Sequence, residues 1–312
     1  MIIVDAHCDS ITAAMDKKES ILRNGMHIDL DRIGRIKNYV QFFAAFVDPV
    51  TYKDNEMIRL INILDFLYQQ AQQYEDIFSV CRNAEEIDAA IACGKTAAVI
   101  SIENGGALKG DLSSLRMFYR LGVRSICLTW NFTNEIADGV KDSERGTGLT
   151  AFGREVVSEM NRLGMLIDVS HLSEKSFWDV IEESKAPVIA SHSNAKAVCR
   201  HQRNLTDDQL LAIKANNGVM GINQYPFFLN NSGSASMDDI IMHIEHIAAI
   251  TGEDHIGLGS DYDGVECLPA DITGIQDTGK IFDRLLSLNY SQCFIDKFAG
   301  GNFMRVIRKV MK

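Results

Sequence analysis

The chain begins MIIVDAHCDS, and His7 and Asp9 stand two apart directly after the apolar run Met1 to Val4. Alternate residues of a strand point to one face, so a histidine and a carboxylate aimed together at a strand end make half of a metal site. The arrangement recurs: Glu103 closes AAVISIE, His171 closes MLIDVSH, His192 lies in PVIASHS and Asp261 ends HIGLGSD. These are zinc-ligand residue types, and their shared position at the ends of apolar runs is more specific than any one motif. Each also has an ordinary reading. His171 and His192 neighbour serines suited to helix N-caps, Glu103 suits an arginine partner, and Asp261 in SDYDG suits a turn. Three histidines and an aspartate divide awkwardly round one tetrahedral ion but share easily between two if Glu103 bridges them. Two metals about 3.5 to 4 Å apart can hold one hydroxide and polarise a carbonyl, which is hydrolase chemistry. Asp261 is then the proton shuttle from that water to a leaving group.

Such residues need a scaffold that brings distant strand ends together. Eight short β-branched runs recur, at 2–7, 40–47, 97–103, 125–130, 165–171, 187–193, 218–225 and 255–261. Amphipathic stretches such as AFGREVVSEMNRLG and SEKSFWDVIEES alternate with them, several opened by an N-cap residue and closed by glycine. Alternating strands and helices predict parallel βαβ units. Eight of them predict an α/β fold, a (β/α)8 TIM barrel whose active site lies at the C-terminal strand ends. A doubly wound open sheet is the alternative. The segment from about 10 to 38 is too long for a simple βα unit, and 280–312 reads as additional C-terminal helices. With no linker or low-complexity tract, residues 1–312 are expected to form a single domain.

Composition removes whole classes of function. A formal charge of -11 disfavours nucleic acid, because phosphate binding needs a basic surface. Seven scattered cysteines without a C-x-x-C pair read as reduced thiols. Asp5 interrupts the N-terminal apolar run after four residues, so no signal peptide is expected. No run approaches the roughly 18 apolar residues of a membrane span. His243 and His246, one helical turn apart, are placed towards solvent by the stripe Ile240, Ile244, Ile247. GLGSDYDG lacks the G-x-G-x-x-G order, and no G-x-S-x-G motif appears. Cys8 is assigned to packing on the face opposite His7 and Asp9; Phe42, Phe43 and Phe46 are assigned to the core.

The set AHCDS, SIENGGAL, NRLGMLIDVSHLSE, PVIASHSNAKAVCRHQRNLTDDQL and GLGSDYDGV closely resembles the membrane (renal) dipeptidase family of zinc peptidases, within the amidohydrolase-like metal-dependent barrels. The resemblance runs from about residue 3 to 310. It implies two zinc ions, one held by His7 and Asp9, the other by His171 and His192, with Glu103 bridging both and sharing in catalysis. It implies that Asp261 is the acid/base residue and that Arg203 grips the substrate's terminal carboxylate, which a guanidinium fork matches bidentately. Trp130 and Tyr225 join Arg203 as candidate substrate-binding residues. The family commonly reads Leu-Thr-His-Asn where this chain has LTWN, so Trp130 replaces a histidine that would help hold the reacting carbonyl oxygen. Trp130 is expected to shape the pocket, with Asn131 a possible substitute donor.

The expected activity is a dizinc dipeptidase in which a bridging hydroxide attacks a peptide bond beside a free C-terminal carboxylate. The family suggests tolerance of a C-terminal D-residue. Alternatives are another amidohydrolase, such as an N-acyl-amino acid deacylase, or a metal-binding barrel without catalysis. Mammalian relatives are lipid-anchored and secreted. This chain, ending RVIRKVMK, shows neither leader nor apolar tail, and a cytoplasmic protein of bacterial type is expected. A dipeptide partner, no nucleic acid, no membrane and a homodimer by family analogy complete the expectation.

Overall fold

The computed structural model describes all 312 residues. Nine parallel strands run β1 (Ile3–Cys8), β2 (Tyr39–Phe46), β3 (Phe78–Val80), β4 (Thr96–Glu103), β5 (Val123–Cys127), β6 (Leu166–Asp168), β7 (Ile189–Ser193), β8 (Val219–Ile222) and β9 (Ile256–Leu258). Eight close into a barrel in the order β1-β2-β4-β5-β6-β7-β8-β9, with β9 pairing back to β1. Helices surround the closed sheet, so the (β/α)8 expectation holds and the open sheet is excluded. Each of the eight anticipated runs overlaps one barrel strand. The ninth, β3, was not anticipated: its three residues pair only with the start of β4, too short a run to show a period of two.

The long first connection holds helix Ser10–Lys17 and the short helix Leu30–Ile33. The C-terminal region holds helices Thr278–Ser287, Gln292–Asp296 and Asn302–Val310. The last of these has a structural task. Its Phe303, Val306 and Ile307 share one buried cluster with Val4, Val40, Phe42, Ala97, Val99, Leu166, Ile189 and Val219 from six barrel strands. It therefore closes the end of the barrel remote from the site and leaves the C-terminal strand ends free for polar residues.

Two register slips aim the ligands. Val4 and Ala6 belong to that inner cluster, so strict alternation would turn His7 outwards. The pairing of β1 with β2 slips between Asp5 and Cys8, and His7 faces in beside Asp9 while Cys8 packs in the outer core. Likewise Ile189 faces in, and the β7–β8 register slips between Ala190 and Ser193, around His192. Such irregularities re-aim side chains next to active sites. His171 and Asp261 stand three residues beyond the ends of β6 and β9, both at positive φ, 66° and 62°. No helix is long and apolar enough to cross a membrane.

Candidate metal centre

At the open end the six strand-end residues converge, each at most 8% exposed. Glu103, last residue of β4, lies between two groups. Its Oε2 is 3.5 Å from His7 Nε2, which is 3.2 Å from Asp9 Oδ2. Its Oε1 is 2.9 Å from His171 Nε2 and 3.9 Å from His192 Nε2. Asp261 Oδ1 stands 3.7 Å from His7 Nε2, and Asn223 donates to its other oxygen at 2.7 Å. Gly264 passes so close to the Asp9 and Asp261 carboxylates that a Cβ there would collide with both.

Hydrogen bonds fix the histidine tautomers. Ser191 Oγ donates to Asp168, so it accepts from His192 Nδ1–H at 2.7 Å. Asn131 Oδ1 accepts from His171 Nδ1–H at 3.0 Å. Both Nε2 atoms therefore present lone pairs, 2.8 Å apart with no proton to share. Two facing lone pairs with a carboxylate oxygen beside them are an arrangement that could hold a cation, and histidine ligands characteristically donate their other N–H to such partners. The buried Asp9 Oδ1 has no protein partner.

Burial, then the charge of Arg203, brings His171 down to about 3. Burial and the neighbouring imidazoles hold His192 well below the ordinary histidine range. Burial also works against protonation of His7, but the Glu103 and Asp9 charges outweigh it and raise its pKa. Burial, followed by Glu103, pushes Asp9 up to about 7. Asp261 rises through burial, and Glu103 adds to the effect. Crowded buried carboxylates and neutral imidazoles are what a divalent cation would relieve.

A cavity of about 660 Å³ opens over this cluster. Arg203 lines it, 5% exposed, with its Nη2 donating to His192 O at 3.4 Å and its Nε unpartnered. No carboxylate pairs with it. Trp130 forms another wall, 5.2 Å from Phe46 and 6.4 Å from His171 between ring centroids. Tyr225 lines the cavity beside Glu266, and burial, then its bond to Glu266, push it up to about 12.

A family model of membrane dipeptidase (peptidase family M19) matches residues 1–312. The chain belongs to this family. An uncharacterised dipeptidase of Schizosaccharomyces pombe is 33% identical over 335 residues, 98% of this chain and 80% of the yeast one. An uncharacterised Klebsiella pneumoniae protein of the pqqA 5′ region is 36% identical over 263 residues, 79% of this chain and 97% of that one. Among solved structures, a metallo peptidase from Rhodobacter sphaeroides, liganded with a phosphinate mimic of the dipeptide L-Ala-D-Ala, superposes with a TM-score of 0.91. It shares 28% identity and 99% of each chain is covered. This dipeptidase-family chain thus has metallopeptidase relatives across its whole length.

In this dipeptidase-family barrel every singled-out site residue lines the cavity or the cluster beneath it, but two readings of the sequence need correction. Asn131 also lines the cavity; its Oδ1 orients His171, which leaves its Nδ2–H donors unpaired. Phe46 is not core like Phe42 and Phe43; it stands on the cavity wall. His243 does not face solvent: it is fully buried, accepting from Ala195 N and donating to Leu229 O, both at 3.0 Å. His246 instead pairs with Asp207 at 2.7 Å. The orienting residues Asp168, Ser191 and Asn223 went unrecognised. Asp168 and Asn223 also end apolar runs, so the strand-end rule itself carried their signal; Ser191 carried none beyond adjacency to His192.

Proposed function

We propose that residues 1–312 form one dizinc dipeptidase domain, cleaving dipeptides with a free C-terminal carboxylate. The observation that carries this is Glu103, whose two oxygens face two separate sets of donors, His7 with Asp9 and His171 with His192. That donor set fits two zinc ions, with histidine and carboxylate ligands in numbers zinc accepts. When bound, the ions would activate a water molecule and withdraw charge from the substrate carbonyl.

The protein's own residues do the rest. Arg203, buried and without a carboxylate of its own, takes the substrate's terminal carboxylate. Asp16, Asp263 and Glu266 on the opposite wall favour an ammonium group, which supports a free dipeptide over an N-acylated substrate. Asp261 accepts a proton from the attacking water and returns it to the amide nitrogen as the C–N bond breaks. Asn223 holds one oxygen of Asp261 and so leaves the other for that exchange. Trp130 and Phe46 limit the size of the N-terminal side chain. The mimic bound by the R. sphaeroides relative supports L-Ala-D-amino acid dipeptides as substrates. A homodimer follows by family analogy, and a cytoplasmic setting from the unpaired cysteines.

Metal analysis of the purified protein, with turnover of L-Ala-D-Ala, its N-acetyl form and its C-terminal amide, tests the reading. The expected result is two zinc ions per chain and turnover of the free dipeptide alone. Cleavage of the acetylated substrate would make the protein a deacylase, and bound metal without turnover of any of the three would leave a non-catalytic barrel.

A further inference from the structure

We infer that Lys141 is a catalytic residue, supplying the cationic donor to the substrate oxygen that becomes negative during hydrolysis; the inference rests on the dipeptidase reading. Attack on a peptide carbonyl moves charge onto its oxygen, and a donor aimed there can be worth a factor of about 10² to 10³ in kcat. The wall beside His171 offers Trp130, whose indole N–H is neutral.

Lys141 stands on that same wall. Its backbone N–H donates to Asn131 O at 2.8 Å, and the preceding Val140 N–H donates to His171 O at 2.8 Å. The segment is thereby tied to the residue after Trp130 and to a proposed metal ligand. Lys141 Nζ lies 6.0 Å from the Trp130 ring centroid and 5.3 Å from that of Phe132. Cation–π contact at an exposed site, about 0.5–1 kcal/mol, orders the ammonium without committing it.

Four lysines of the chain pair with carboxylates, Lys109 with Glu56, Lys175 with Asp179, Lys280 with Asp277 and Lys297 with Asp254. Lys141 has no such partner. It lines the cavity over the metal-ligand candidates and also a second one of about 340 Å³, which shares His171, Gln202 and Arg203 with the first. A four-carbon stem between two open spaces has room to swing. Of the other cavity cations, Arg203 is occupied by the terminal carboxylate, and Lys17 follows Asp16 on the acidic side.

In the step proposed, the water oxygen bonds to the carbonyl carbon and the π pair moves onto the carbonyl oxygen. Lys141 donates a hydrogen bond there and keeps its proton. Collapse restores the C=O bond and expels the amine, which takes its proton from Asp261. The substrate amide is neutral, so the interaction grows only in the transition state and should appear in kcat, not KM.

The test compares Lys141→Met and Lys141→Arg with the wild type on L-Ala-D-Ala, with metal content and calorimetric binding of the dipeptide to metal-free protein as companion readouts. Lys141→Met should lose about 10²-fold in kcat with KM, metal content and dipeptide binding unchanged, and Lys141→Arg should recover most of the loss. Unchanged kcat in Lys141→Met would overturn the inference while leaving the dipeptidase reading intact. A raised KM at full kcat would make Lys141 a ground-state binder and overturn it too, as would equal losses in the two variants. A wild type without dipeptide turnover would overturn both readings.

Discussion

Ser191→Ala removes one oxygen from the relay that sets the His192 tautomer. Two bonds disappear: the Ser191 O–H to Asp168, and the His192 Nδ1–H to Ser191 at 2.7 Å. Asp168 keeps two backbone donors, Ser170 N at 3.0 Å and Ser191 N at 2.9 Å, so its charge stays solvated. The loss of one hydrogen bond to a charged group then costs about 1.5–3 kcal/mol of stability. His192, 1% exposed, is affected more. Its Nδ1–H would be left unsatisfied in the interior, at about 1–3 kcal/mol, and moving the proton to Nε2 avoids that penalty. The move consumes the lone pair that faces His171. Loss of such an orienting partner weakens metal affinity about 10- to 100-fold, and here only the ion of the His171 and His192 pair should be affected. Chelator competition followed by metal analysis should show one tightly held ion and one weakened by that factor. Equal, undiminished affinity for both ions in Ser191→Ala would refute the tautomer argument.

Arg203→Met should raise KM for free dipeptides by the equivalent of about 1.5–3 kcal/mol and change little for C-terminally amidated ones; equal losses on both in steady-state kinetics would remove the carboxylate assignment. Trp130→Ala should broaden acceptance of bulky N-terminal residues and cost less than about tenfold in kcat on Ala-Ala substrates, roughly 1.4 kcal/mol, so a uniform hundredfold loss at full metal occupancy would show Trp130 to be a transition-state donor. His243 is lowered by burial from 6.5 to about 4, so the unfolded chain takes up its proton first as pH falls. Its contribution to stability is therefore whole above pH 6.5 and is lost on descent towards 4, about 2 kcal/mol of it between pH 7.5 and 5. Urea unfolding at these two pH values should show that extra loss in the wild type relative to His243→Gln, and parallel behaviour of the two proteins would falsify it.

How much of this was legible in the sequence differs from residue to residue. Glu103 is the clear case: an apolar run ending in a carboxylate predicts a strand end at the barrel mouth, and the alternation of β4 delivers it there without irregularity at that point. His7 is different. The H-x-D spacing pairs it with Asp9, 3.2 Å away in the structure, yet alternation counted from Val4 sends it outwards, and only the slip against β2 turns it in. His243 shows the opposite failure, because a helical stripe of isoleucines identifies one buried face but not a second one covered by the loops around Ala195 and Leu229.

The sequence by itself determined the strand and helix alternation, the closed barrel, the set of six polar strand-end residues and the family, because these depend on local periodicity and on residue types at fixed spacing. The tertiary structure alone decided which Glu103 oxygen faces which histidine, which imidazole nitrogen keeps its lone pair, and that Lys141 and Arg203 meet the same cavity from different loops. Those are distances between residues far apart in the chain, set by register slips, positive-φ turns and buried hydrogen bonds. Local pattern carries no measure of them.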